Sequence, residues 1–265
     1  MIDLHVHTSR CGHASGQMAE YVEAGRSRGL DVVCFTDHLP MPAPYPQHYT
    51  MEAGEMPAYV ADVLAAAAGA RASGGPEVLL GIEADWLPDA VPSVRQAVAA
   101  YDFDVVLGSV HFLGDWAFDD PDLVARYDAW RPDDLWERYF EEVAHAAASG
   151  LFDVIAHPDL VKKFGSRPDR DPRPWYEMTA DALAQSGVAV EVNTAGLRKP
   201  VGEIYPSLDL LKACRRHGVP ATMGSDAHAP AEVGEGLDLA RELLLDAGYG
   251  SVVCFRNRTA QEVGL

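Results

Sequence analysis

Read for the spacing of apolar and polar positions, the chain alternates short runs rich in Val, Ile and Leu with longer stretches whose apolar residues recur three and four apart. Seven runs read as strands: Ile2 to His7, Asp31 to His38, Val78 to Glu83, Asp104 to His111, Asp153 to His157, Ala189 to Asn193 and Ala221 to Asp226. Ser251 to Phe255 is a shorter and weaker eighth. Helices are expected around Tyr21 and Val22 up to Gly29, and from Pro57 through an Ala-rich run to Gly74-Gly75. Four more are expected over Leu135 to Ser149, Trp175 to Gln185, Leu208 to His217 and Leu237 to Ala247. Strand and helix in alternation predict a parallel sheet with crossover helices, hence an α/β fold. No linker divides the chain, so residues 1–265 are expected to form a single domain. Two long loops interrupt the rhythm: Leu39 to Met51, which carries Pro40, Pro42, Pro44 and Pro46, and Leu113 to Asp134, rich in aspartate and aromatics. Loops of that length inside a compact domain are more often functional lids than accidents.

The polar residues fall where the strands end. His5 and His7, then His38, Glu83, His111, His157 and Asp226, close six of the seven runs, and His228 lies just beyond the last. In a barrel of parallel strands the C-terminal ends converge on one rim, so these residues would share one site. His5 and His7 are two apart on a strand and project from the same face. His13 follows across Thr8, Ser9 and Gly12, a turn-forming stretch able to fold it back over the strand end. Clustered imidazoles and carboxylates suit a Zn, Fe or Mn ion. His48, His145 and His217 lie in the proline-rich loop or on helices and read as surface residues.

Composition narrows the partners. The formal charge of -19 disfavours binding a nucleic-acid backbone, though a metal cluster would still make one pocket attractive to a small anion. No apolar run reaches the roughly 18 residues of a membrane span, and no export signal is visible, so a cytoplasmic protein without a membrane partner is expected. The four cysteines, Cys11, Cys34, Cys214 and Cys254, form no CxxC and read as buried apolar residues. Nothing in the pattern specifies an oligomeric state.

The motifs themselves resemble those of the polymerase and histidinol phosphatase (PHP) family: DLHVHT from Asp3, the following His13, FTDH (Phe35 to His38), GIE (Gly81 to Glu83), SVH (Ser109 to His111), AHPD (Ala156 to Asp159) and SDAH (Ser225 to His228). The resemblance spans nearly the whole chain and implies a distorted (β/α)7, TIM-like barrel with three divalent metals. It places His5, His7, Glu83 and Asp226 around one ion, has Glu83 bridge to a second held by His111 and His157, and assigns His13, His38 and His228 to a third. GSVHF (Gly108 to Phe112), AHPDLVKKF (Ala156 to Phe164), EVNTAGLRKP (Glu191 to Pro200) and EIYPS (Glu203 to Ser207) resemble the histidinol-phosphatase branch in particular. That implies a phosphomonoesterase of histidine biosynthesis acting on L-histidinol phosphate, a small-molecule monoester. The alternative within the family is a phosphoesterase acting on nucleotides or other small phosphate esters.

For such a reaction, divalent ions mask the charge of the ester and make water acidic enough to attack. Lys162 and Arg198 follow strand ends and are candidates to grip the phosphoryl oxygens. Asn193 ends the one strand without a metal ligand, so its rim is expected to serve substrate. The leaving alkoxide needs a proton, for which Asp159, His228 and metal-bound water are the candidates. Gln17 cannot transfer protons.

Overall fold

Runs of β-branched and other apolar residues pair side by side in the computed structural model, which describes residues 1–265. The strands are β1 (Ile2–Val6), β2 (Val32–Phe35), β3 (Glu77–Asp85), β4 (Val105–Ser109), β5 (Phe112–Leu113), β6 (Trp116–Ala117), β7 (Val154–Ile155), β8 (Ala189–Asn193), β9 (Ala221–Gly224), β10 (Ser251–Arg256) and β11 (Thr259–Gly264). Seven of them form one parallel sheet in the order β1-β2-β3-β4-β7-β8-β9. The sheet curls until its edges meet at the C-terminal rim, where Asp226 N donates to His5 O (2.7 Å) and His7 N donates to Ala227 O (2.9 Å). The result is a distorted (β/α)7, TIM-like barrel built from the seven expected strands.

The helices are α1 (Met18–Ser27), α2 (Met56–Ser73), α3 (Val91–Val98), α4 (Pro132–Ala148), α5 (Arg173–Ser186), α6 (Leu208–Arg216) and α7 (Leu237–Asp246). They cover the outer face of the sheet, and one hydrophobic cluster of 76 buried residues runs through the molecule. Gln17 serves as the N-cap of α1 in a reciprocal capping box with Glu20. No helix is long and apolar enough to cross a membrane.

Three features differ from the sequence expectation. The Ser251 to Phe255 run is a strand, but it leaves the barrel and pairs with β11 as an antiparallel hairpin. Asn257 and Arg258 form its two-residue turn, both at positive φ (48° and 58°), the conformation that matches the strand twist. The hairpin tip attaches at the strand starts: Asn257 N donates to Asp104 Oδ1 and Arg258 Nε to Asp153 Oδ2, just before β4 and β7. Helix α3 was not expected, and the second long loop contains the small β5–β6 hairpin. The two long loops meet over the open rim, where the Tyr49 hydroxyl donates to Asp120 and the rings of Tyr45 and Tyr49 pack edge-on against Phe112.

Candidate metal centre

Because the strands run parallel, the residues that end them gather at one rim. Glu83, from β3, stands at the centre and is 1% exposed. Its Oε2 lies 3.3 Å from His5 Nε2, 3.3 Å from His7 Nε2 and 3.1 Å from His38 Nδ1. Its Oε1 lies 3.1 Å from His157 Nε2 and 3.9 Å from His111 Nε2, and accepts from the Ser109 hydroxyl. Asp226 Oδ1 lies 3.3 Å from His7 Nε2 and 3.7 Å from His5 Nε2. His13 and His228 complete the cluster, their Nε2 atoms 3.0 Å apart. Nine predicted ligand positions thus share one rim.

The surroundings aim these groups inward. His5 Nδ1 donates to Glu191 Oε1 (2.8 Å), His111 Nδ1 to Asp85 Oδ1 (2.9 Å), His13 Nδ1 to Cys11 O (2.9 Å) and His228 Nδ1 to Asp226 O (3.1 Å). Committing Nδ1 to an outer acceptor leaves the Nε2 lone pair facing the cluster, the tautomer that a metal needs. Two imidazole nitrogens 3.0 Å apart, as in the His5–His7 and His13–His228 pairs, repel as two lone pairs unless a cation or a proton lies between them. Glu83 Oε2 is buried and makes no hydrogen bond although three imidazole nitrogens surround it. The donor set therefore fits borderline divalent ions.

Electrostatics agree. Burial alone would raise Glu83, but the imidazoles of His38 and His5 hold its carboxyl well below the usual carboxylate range. Asp226 is likewise depressed against the effect of burial, chiefly by His5 and His7. His5 and His7 are pulled well above the ordinary imidazole value despite burial, by Glu191 and Asp226 respectively above all. The cluster demands positive charge. His157 and Asp226 also sit at positive φ (31° and 52°), a conformation that costs non-glycine residues about 1–3 kcal/mol and clusters at functional sites. Gly224, on β9, has no room for a side chain: an added Cβ would lie 2.4 Å from His5 Cβ.

A cavity of about 450 Å³ opens above the cluster. The candidate ligands His13, His38, Glu83, His111, His157, Asp226 and His228 border it, with Met41, His48 and Tyr49 from the first long loop and Asp119 and Asp120 from the second. The lysines that border it are Lys163 and Lys199.

Four of the expected site residues, Lys162, Asp159, Arg198 and Asn193, are not among the residues that border the cavity. Lys162 is 2% exposed and turns inward, its Nζ 2.9 Å from Asp159 Oδ2 and donating to Ile204 O (2.9 Å). The cause is local: Asp159 immediately precedes a 3-10 turn spanning Leu160–Lys162, and side chains three apart eclipse in that helix. Asp159 is fully buried, its Oδ2 held by Lys162 and Ser207 N. Arg198 Nη2 donates to Ser225 O (2.8 Å) and Asp226 O (3.1 Å), so it braces the backbone that carries a ligand. Asn193 Nδ2 donates to Glu191 Oε2 (3.0 Å) and Asp226 Oδ2 (3.3 Å), behind the cluster. His228 does border the cavity, but burial and the neighbouring His7 hold it well below the ordinary imidazole value, which suits a ligand better than an acid.

Several participants were missed. Glu191 and Asp85 are buried carboxylates that orient His5 and His111, and Asp37 lies 3.6 Å from His7 Nδ1 while accepting from Thr8 N. An acid two residues after Glu83, and one two residues before Asn193, share a strand face with those residues, which is the signal that sequence offered. Cys11 is buried as expected, but beside the site: burial alone would raise its thiol, yet hydrogen bonding with His13 and His7 brings it to about 7. His48 is exposed, as expected, but at the cavity mouth. His145 and His217 are surface residues.

The chain matches the PHP domain over residues 3–195 and the PHP-associated region over residues 211–238. It is 44% identical to a Deinococcus radiodurans protein named probable histidinol-phosphatase, with 98% of each chain covered. It is 26% identical to the histidinol-phosphatase of Bacillus subtilis, covering 88% of this chain and 95% of that one. Its fold superimposes with a TM-score of 0.85, at 22% identity and 98% coverage of both chains, on the histidinol phosphate phosphatase HisK from Lactococcus lactis, solved with zinc, L-histidinol and phosphate. A family match over most of the length, joined to a relative this similar, decides the matter: the chain belongs to the PHP family.

Proposed function

We propose that this protein is a metal-dependent phosphomonoesterase that hydrolyses L-histidinol phosphate to L-histidinol and phosphate, a step of histidine biosynthesis. The observation that carries the reading is the gathering of nine ligand-type residues under one cavity in a chain 44% identical to a protein named probable histidinol-phosphatase. We assign three divalent ions, Zn, Fe or Mn: one to His5, His7, Glu83 and Asp226, a second to Glu83, His111 and His157, and a third to His13, His38 and His228. Glu83 would be shared by the first two ions, since its Oε2 faces His5 and His7, with His38 also beside it, and its Oε1 faces His157 and His111. When bound, the ions would neutralise the phosphoryl charge and make water nucleophilic near neutral pH.

The chain's own groups do the rest. Glu191, Asp85 and Asp37 fix ring orientation, so little reorganisation accompanies binding. Lys163, whose Nζ donates to Asp119 O (2.6 Å), and Lys199 take over the phosphate role that sequence gave to Lys162 and Arg198. The outer wall carries Asp119 and Asp120 with Tyr49 and Phe112, an acidic and aromatic surface that suits the ammonium and imidazole of histidinol and repels a polyanion.

The test is phosphate release by purified, metal-loaded protein from histidinol phosphate, nucleoside monophosphates and a phosphodiester. Histidinol phosphate should have the highest kcat/KM. Equal or greater activity on a nucleotide or diester overturns the substrate assignment.

A further inference from the structure

Outside the ligand cluster, Tyr205 is the residue of the cavity wall whose polar atom is buried and makes no hydrogen bond. It is 1% exposed. Its place is fixed from several sides. Asn193 N donates to Tyr205 O (2.6 Å) and Tyr205 N to Asn193 O (2.9 Å), which ties its backbone to the end of β8. Its ring packs edge-on to His157, with centroids 6.5 Å apart, and Lys162 Nζ lies 5.3 Å from the ring centroid. Gly196 faces it so closely that an added Cβ would sit 2.9 Å from the ring. The ring cannot swing away to hydrate its hydroxyl.

A buried hydroxyl without a partner opposes folding, so its retention here points to a partner that arrives with the ligand. Of the nearby carboxylates, Asp119 is engaged by Lys163 and Asp226 by the histidine cluster and Asn193, while Asp159, whose Oδ1 is itself buried without a partner, does not border the cavity. A free O–H donor on a cavity-wall residue whose ring packs against His157 is complementary to a group rich in acceptors, and a phosphoryl group offers its oxygens as acceptors. We propose that the Tyr205 hydroxyl donates a hydrogen bond to a phosphoryl oxygen of the bound monoester, making Tyr205 a substrate-contacting residue alongside Lys163 and Lys199. The proposal rests on the phosphomonoesterase reading.

Tyr205→Phe removes the hydroxyl and keeps the ring. Measured on the metal-loaded full chain, it should lower kcat/KM for histidinol phosphate by roughly tenfold to a hundredfold, the effect of one hydrogen bond to a charged group. The inhibition constant for inorganic phosphate should rise by about tenfold or more on the same ground, and the Tm gain that phosphate gives the wild type should shrink. Metal content and the Tm without phosphate should stay at wild-type values, because the lost hydroxyl had no protein partner. Unchanged phosphate inhibition and kcat/KM overturn the proposal. So does a loss of activity accompanied by loss of metal or a lowered phosphate-free Tm, which would mark a structural role. A wild-type protein that phosphate neither inhibits nor stabilises would overturn the phosphatase reading first, and the proposal with it.

Discussion

Lys162→Met separates the role that sequence suggested from the one the structure shows. Lys162 and Asp159 are 2% and 0% exposed, with Nζ 2.9 Å from Oδ2. Methionine keeps the unbranched stem and deletes the ammonium. Asp159 is then left buried with Ser207 N as its remaining donor, 2.8 Å from Oδ2, while its Oδ1 has no partner even now. Removing one member of a buried ion pair costs about 3–5 kcal/mol. In a chain of this size each kcal/mol lowers Tm by about 2–4 °C, so a fall of roughly 6–20 °C is expected. The assay is thermal unfolding of metal-loaded wild type and mutant by circular dichroism, with kcat/KM measured at a temperature where both are folded. Adding Asp159→Leu should recover part of the loss, since replacing both partners by apolar groups is often near neutral. A mutant with wild-type Tm and a raised KM would refute the reasoning and return Lys162 to the phosphate.

Three further outcomes follow from the site. Glu83→Gln should abolish activity and reduce bound metal together, read by elemental analysis, because Glu83 is the anionic hub that five histidines face. Arg198→Ala should weaken metal binding by about tenfold to a hundredfold, as loss of outer-shell support does, since its guanidinium holds the Ser225 and Asp226 carbonyls; a changed KM with unchanged metal affinity would contradict this. The third concerns pH. Burial alone would lower His111, but Asp85, Asp119 and Glu83 carry it to about 10. A folded value above the ordinary one of about 6.5 stabilises the protein fully below about pH 6.5 and is lost as pH rises toward 10. The Tm of metal-depleted protein should therefore fall across that window, and Asp85→Asn should flatten the fall; equal slopes in the two proteins would contradict it.

The parallel sheet was legible because its strands are short apolar runs and most of the candidate ligands stand at their ends, whereas the barrel came from the family resemblance. Parallel pairing then forces His5, Glu83, His157 and Asp226 onto one rim whatever their separation in sequence. What was not legible depends on where a side chain turns after the strand ends. Lys162 and Lys163 are adjacent identical letters, yet a single 3-10 turn sends Lys162 back onto Asp159 and leaves Lys163 on the cavity. Arg198 follows a strand end as a substrate residue would, but it crosses to brace the next strand's loop, a tertiary contact with no local signature. The polar strand β11 is exposed along most of its length, so it carries no hydrophobic alternation to read. Short α3, with Pro92 in its first turn, lay between two strands that drew the attention of the pattern.

Under the proposed function, nine side chains on one rim would hold three divalent ions. The most direct measurement is to strip the protein of metal, add back Zn, Fe or Mn in measured equivalents, and follow phosphate release from histidinol phosphate. Activity should reach its plateau only as the third equivalent binds. Full activity at one equivalent, with no further metal taken up, would contradict the three-ion site.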